Sequence, residues 1–344
     1  LTETAPHDVD TAPASAGAVF RRSFNSLRHL AAPGPGGRRV VPARIGTTAA
    51  PADLRRAVPR PSDTMLLRVS GWAMIIVAAL FAGLALHLGV ISQLAEHRSQ
   101  SVLYNDFRAQ LALGTAPIGQ VDSNGAMLKP GAPVALLRIP ALGITDTVVE
   151  GTTGSTLLAG PGHRRDTPLP GQQGVSVVYG RQAAYGGPFA DIASLRPGDT
   201  ILTTTGQGLA TYRVTDVRYA GDRSPALASA TAARLTLVGA TGIPFVSGAV
   251  VRVDADLVGK AYPTPQPVLG AAALSPAEQP LASDAGGWLP LFLWGELAVV
   301  VAVGIVLALR RWGRWHTWVV GVPVILIIGV EMAKQVVIVL PNLY

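Results

Sequence analysis

Three apolar stretches, residues 69–94, 288–309 and 317–340, limit what this chain can become more than any other feature. An α-helix rises about 1.5 Å per residue, so each stretch is long enough to cross a hydrocarbon core of roughly 30 Å. A length of 344 residues would suggest two soluble domains, but 49% hydrophobic content with only 14% charged residues points to membrane segments instead. A polar region of about 68 residues precedes the first stretch, and no small-x-small cleavage site follows it, so that stretch reads as a signal anchor.

Charge gives the topology. The formal net charge is +7. Its excess sits beside the apolar stretches, on Arg21, Arg22, Arg28, Arg38, Arg39, Arg44, Arg55, Arg56, Arg60 and Arg68, and again in Arg310-Arg311-Trp312-Gly313-Arg314-Trp315. By the positive-inside rule both segments are cytoplasmic, with residues 95–287 and the short tail Pro341-Asn342-Leu343-Tyr344 outside. This is a membrane-flank pattern, not a nucleic-acid footprint, and the lipid bilayer is the implied partner. Retention of topology is the simpler role for the arginines, and contact with anionic lipid is the other.

Between the spans the texture changes. Residues 1–62, rich in Ala, Pro, Gly, Thr and Arg without periodicity, are expected to be disordered and cytoplasmic. Leu103, Tyr104, Phe107, Leu111 and Leu113 recur at helical spacing, predicting an amphipathic helix and linker over 100–116 that packs on the following domain. From 132 to 262 short β-branched runs alternate with Gly, Pro and Asp. The runs are Val134-Ala135-Leu136-Leu137, Thr147-Val148-Val149, Val175-Ser176-Val177-Val178, Thr200-Ile201-Leu202-Thr203, Thr211-Tyr212-Arg213-Val214, Leu235-Thr236-Leu237-Val238 and Val250-Val251-Arg252-Val253. They predict one small closed all-β barrel. A Pro/Ala/Ser-rich linker over 263–287 leads back to the second span, and a basic loop over 310–316 joins it to the third.

Cysteine is absent, which excludes disulfides, thiolate metal sites and a Cys nucleophile. The spacing of Asp191, Asp199, Asp216 and Asp222 fits no calcium loop, so no metal and no cofactor is expected.

Several strings in order resemble the sortase family, especially the sortases of high-GC Gram-positive bacteria: Leu137-Arg138-Ile139-Pro140-Ala141-Leu142-Gly143-Ile144, Val149-Glu150-Gly151-Thr152, Gly160-Pro161-Gly162-His163 with Leu169-Pro170-Gly171, Tyr185-Gly186-Gly187-Pro188-Phe189, and Leu195-Arg196-Pro197-Gly198-Asp199. The membrane flanks resemble a three-span actinobacterial subgroup. The resemblance implies a sortase-like closed barrel of about eight strands on the outer face of a Gram-positive-type cell membrane, beside three transmembrane helices. It also implies a transpeptidase reaction, in which a Cys thiolate attacks a sorting signal, a His acts as general acid and an Arg stabilises the oxyanion. Loss of one oxyanion donor alone costs about a hundredfold or more, and without a nucleophile no acyl-enzyme forms.

Matched position by position, Ala240 stands where the family has its Cys, Arg181 where it has its His, and Val250 where it has its Arg. Arg252 lies two residues further along the same strand face and is the candidate replacement for the oxyanion Arg. Thr241 is the candidate hydroxyl nucleophile, but it needs a base and Arg181 stays protonated. Arg181 suits the binding of a carboxylate or phosphate, or pairing with a nearby acid. His163, the only histidine of the domain, reads first as a structural hydrogen-bonder. With Tyr185 these residues are expected to line what remains of the cleft.

Within the spans, Glu296 lies about seven residues from the outer end of the second, and Glu331 and Lys334 about ten and seven from the outer end of the third. Each buried charge costs about 2.5–3.5 kcal/mol on insertion scales. Two readings stand: mutual pairing that locks the spans together, or docking of another membrane protein. The functional expectation is a catalytically inactive sortase-like protein, a peptide-binding, scaffold or accessory subunit of a cell-envelope complex with a membrane or cell-surface protein partner and an extended peptide in its cleft. The alternative is an active transpeptidase or hydrolase with a non-cysteine nucleophile.

Overall fold

The computed structural model describes residues 61–245 and 248–344; the arginine-rich segment expected to be disordered falls, up to residue 60, outside the described residues. Side chains alternate along a strand, so each β-branched run offers one face to a core. Eight strands use this to close a barrel: β1 (Pro133–Ile139), β2 (Ile144–Glu150), β3 (Gly162–His163), β4 (Gly174–Tyr179), β5 (Thr200–Thr205), β6 (Gly208–Arg218), β7 (Ala233–Thr241) and β8 (Ala249–Leu257). The order around it is β1-β2-β3-β4-β7-β8-β6-β5, with β5 pairing back to β1. Most pairs are antiparallel, while β2–β3 and β4–β7 are parallel. Leu137, Ile139, Val148, Val178, Leu235, Leu237, Val251 and Val253 fill the interior. Phe189 and Ile192 pack with them from the segment after β4.

Among the described residues three helices are long and apolar enough to cross a membrane. The first does not stop at the end of its apolar run. Helix α1 (Pro61–Leu86) continues through a π turn (His87–Ile91) into α2 (Ser92–Leu113), where the sequence suggested a separate helix over 100–116. The reason is local: residues 92–113 contain neither Gly nor Pro, and the rod ends only at Gly114, in the left-handed conformation at φ 67°. One face of α2 seats on the barrel through Phe107, while Tyr104 and Leu113 are exposed. Gln100 on the same face acts as a strand residue would. Its Oε1 accepts from the Thr147 N–H at 2.7 Å, and its Nε2 donates to the Thr147 carbonyl at 3.1 Å. That amide thus caps β2 where β3 is too short to pair with it.

Helix α3 (Trp288–Arg311) and helix α4 (Arg314–Val339) follow the barrel, and α4 packs against both α1 and α3. At the α1–α4 crossing the backbones nearly touch: a Cβ on Gly83 would stand 3.2 Å from the Gly329 Cα. Small residues permit such crossings between membrane helices. The stretch over 263–287 is pinned to the barrel rather than loose. Gln120 accepts from the Val268 and Leu269 N–H groups, Glu278 closes a capping box with Ser275, and Thr152 Oγ1 donates to the Glu278 carbonyl at 2.8 Å.

The Gly83 contact makes a direct prediction. Gly83→Leu forces α1 and α4 apart and costs about 1–3 kcal/mol, as overpacking does elsewhere. The detergent-solubilised chain then unfolds at a lower temperature, whereas Gly71→Leu, on the same helix with nothing within 4 Å, leaves the midpoint unchanged.

Candidate functional site

The ends of β4, β7 and β8 converge on the outer surface of the barrel. Tyr179 pairs with Val238, and Ala240 pairs with Val250. Since Leu235 and Leu237 of β7 and Val251 and Val253 of β8 point into the core, Val238, Ala240, Val250 and Arg252 belong to the opposite, outer face. The three positions singled out from the sequence are therefore neighbours. Arg181 follows β4 immediately after Gly180, where no side chain fits because a Cβ would stand 2.3 Å from the Phe189 ring.

The groove over Ala240 is filled by the chain itself. Helix α4 ends at Val339, and the next residues enter the groove and pack Leu343 and Tyr344 against Leu157, Tyr179, Val238 and Ala240, with Val250 at the margin. Ala240 is left only 2% exposed. Polar contacts hold the segment along its length. Asn342 Nδ2 donates to the carbonyls of Thr152 at 2.8 Å and Gln279 at 2.9 Å. The Leu343 carbonyl accepts from the Gln182 N–H at 2.8 Å, and the Tyr344 hydroxyl accepts from the Gly248 N–H at 2.7 Å.

Arg181 is the anchor. It is wholly buried, with Nη1 donating to the main-chain oxygen of Tyr344 at 2.5 Å and Nη2 to the Gly154 carbonyl at 2.6 Å. Burial pushes the guanidinium down to about 10, still high enough to stay charged at neutral pH. Its partners are two main-chain oxygens of this chain, and no acidic side chain pairs with it among the described residues.

The other candidates separate. Thr241 has the opposite parity to Ala240 and so lies on the other face of β7, and its hydroxyl has no hydrogen-bond partner among the described residues. Arg252 sits two cross-strand pairs from Ala240–Val250, opposite Val238, and makes no hydrogen bond or ion pair among the described residues. Burial raises the nearby Tyr179 hydroxyl to about 12, against the pull of Arg164 and Arg252. His163 is buried on β3 with both ring nitrogens engaged, Nδ1 with Glu150 at 2.9 Å and Nε2 with the Pro168 carbonyl at 3.0 Å. Tyr185 shares a hydrogen bond of 3.1 Å with His87 of the π turn.

That contact belongs to a second place, a cavity of about 400 Å³ lined by His87, Tyr185, Glu331 and Lys334. Pairing of the intramembrane charges is not what the structure has. Among the described residues no ion pair joins Glu331, Lys334 and Glu296, and Glu296 is exposed on α3. His87, Gly154 and segment 341–344 were not anticipated as parts of a site. The available signal for the last was a pair of large apolar residues, Leu343 and Tyr344, beyond the helix-ending Pro341. Among the described residues no group of three or more His, Asp or Glu is placed to hold a metal.

Residues 137–249, about a third of the chain, match the family model described as Sortase domain. The chain is similar in structure to a sortase D5 transpeptidase of Clostridium perfringens, with 21% identity, a TM-score of 0.37, and coverage of 48% of this chain and 99% of that one. It is similar to sortase E1 of Streptomyces coelicolor, solved with a tripeptide in its active site (23% identity, TM-score 0.33, coverage 39% and 93%). A mutant sortase E of Streptomyces avermitilis is similar too (29% identity, TM-score 0.33, coverage 44% and 99%). No curated protein matches the chain. The closed eight-strand barrel is of the sortase type.

Since the chain has no cysteine, Ala240→Cys introduces a sole thiol at the floor of the groove. Maleimide labelling of that variant is expected to be slow. Adding Leu343→Gly and Tyr344→Gly speeds it about tenfold or more, because loss of roughly 2 kcal/mol of burial shifts the open fraction by at least that factor. Equal rates in the two variants would mean that the segment does not cover the floor.

Proposed function

We propose that this chain is a membrane-anchored, sortase-type module that carries out no acyl transfer and serves as a scaffold or accessory subunit of a cell-envelope complex. The observation that carries the reading is the groove itself: at the position where the family resemblance expects a thiol there is Ala240, covered by Leu343 and Tyr344. The position expected to hold a His holds Arg181, whose Nη1 and Nη2 donate to Tyr344 and Gly154. Val250 beside Ala240 offers no donor to an oxyanion.

The arrangement of charge supports an orientation with the barrel on the outer face of a Gram-positive-type cell membrane. Arg310 and Arg311 end α3 and Arg314 begins α4, so the turn between them is basic and belongs on the cytoplasmic side. The partner is a membrane or cell-surface protein. The exposed carboxylate of Glu296, set among exposed Phe292, Leu293 and Val300, is the feature of the spans most in need of one. A catalytic reading has less behind it, since Thr241 is on the wrong face of β7 and His163 is occupied elsewhere.

Incubation of the solubilised full chain with sorting-signal peptides and an amine acceptor is expected to yield no transpeptidation or hydrolysis product and no covalent adduct by mass spectrometry. Ala240→Cys alone does not restore turnover, because the acid and the oxyanion donor are still missing. Turnover by the unaltered chain that Thr241→Val abolishes would overturn the reading. Purification from its own host in mild detergent tests the scaffold role, and a chain recovered without any stoichiometric protein would count against it.

A further inference from the structure

An open groove separate from the filled one over Ala240 has a volume of about 750 Å³ and runs between α2 and the barrel, bounded by α2, by the edge of β2 and by the segment 186–191. Two independent features of its walls point to the same kind of occupant.

One is an unpaired strand edge. Along β2, Thr147 turns its N–H and carbonyl away from β1 and towards Gln100, while Val149 turns its N–H towards Pro161. Backbone groups alternate in direction along a strand, so residues of that parity, Thr145 among them, face away from β1. Thr145 thus directs a backbone donor and acceptor into the groove, one ladder step beyond the Gln100 amide. Gln100 has already taken the place of a neighbouring strand at Thr147, so a chain lying in extension of it finds the ladder begun.

The other is a set of carboxyl groups with no buried cation beside them. Glu96 of α2 lines the groove, is only 5% exposed and makes no hydrogen bond among the described residues. Burial, reinforced by the like charge of Asp146, raises its carboxyl to about 7, and only the exposed His97, 3.6 Å away, acts in the other direction; a cation set between the two carboxyls would relieve both. Asp146 and Asp191 line the same groove without an ion pair, and burial raises the Asp146 carboxyl above the usual carboxylate range. The aromatic face of Tyr104, exposed on the same wall, suits a cationic side chain. Together these walls ask for backbone amide groups and for positive charge in one ligand.

We infer that this groove binds an extended protein segment bearing Lys or Arg, which pairs with β2 at Thr145 and places its basic side chain between Glu96 and Asp146. This is strand addition to an exposed edge, in which the main chain supplies affinity and the alternate side chain supplies choice. The site is separate from the groove over Ala240, so it stands whether or not that groove has any chemistry.

The test uses the solubilised full chain and fluorescent hexapeptides of alternating valine with lysine, glutamate or glutamine. The lysine peptide is expected to bind at physiological salt about tenfold or more tighter than the other two. Glu96→Gln with Asp146→Asn removes that preference, and the lysine peptide N-methylated at alternate amides, which cannot join a ladder, loses binding about as strongly. Circular dichroism of the double variant, unchanged from the parent, separates loss of the site from loss of the fold. Equal affinity for the three peptides, or binding of the N-methylated peptide undiminished, would overturn the inference.

Discussion

A guanidinium drawn wholly out of water must be given oxygen atoms, and at Arg181 this requirement organises the surroundings. Desolvating such a group costs several kcal/mol unless hydrogen bonds replace the lost water, and each bond to a charged donor returns about 1.5–3 kcal/mol. The oxygens come from two places far apart in sequence, the loop after β2 at Gly154 and the segment after α4 at Tyr344. To reach Arg181, the second must cross the groove, and crossing it covers Ala240 and buries Leu343. The end of α4 is thereby brought against the loop after β2, where a Cβ on Gly154 would stand 2.8 Å from the Ile338 carbonyl. The guanidinium at this position is thus tied to the filling of the groove.

Much of the barrel could be read from the sequence, because strand periodicity is a local property. The seven β-branched runs correspond to seven strands. The eighth, β3, could not be found that way: Gly162 and His163 have no β-branched character, and the strand exists because β2 and β4 hold it from both sides. Family spacing singled out Ala240, Arg181 and Val250, and the register of β7 against β8 pairs Ala240 with Val250. What fills the groove was not legible. Arg181 and Tyr344 are separated by 163 positions, and nothing in the composition of either segment announces the other.

The membrane part shows the same division. Length and hydropathy mark the three helices, but not how they meet. Helical spacing alone makes Glu331 and Lys334 neighbours, yet proximity on one helix is only a weak cause of pairing, worth a few tenths of a kcal/mol, and both instead border a cavity with His87 and Tyr185. Nor could spacing reveal that the first span and the amphipathic segment are one rod. A helix continues until something stops it, and here nothing does before Gly114.

The barrel is consequently fastened to the helices at more than one level: through Gln100 on α2, through His87 beside the π turn, and through the segment issuing from α4. The last fastening has no slack. Only Leu340 separates the helix from Pro341, and the bond from Arg181 to the Tyr344 main-chain oxygen at the segment's far end is 2.5 Å long. A piston-like slip of α4 by a single residue, about 1.5 Å, would stretch it past the range in which hydrogen bonds hold. A shift of α4 against α1 is therefore delivered, without a loop to absorb it, to the groove on the outer face of the barrel.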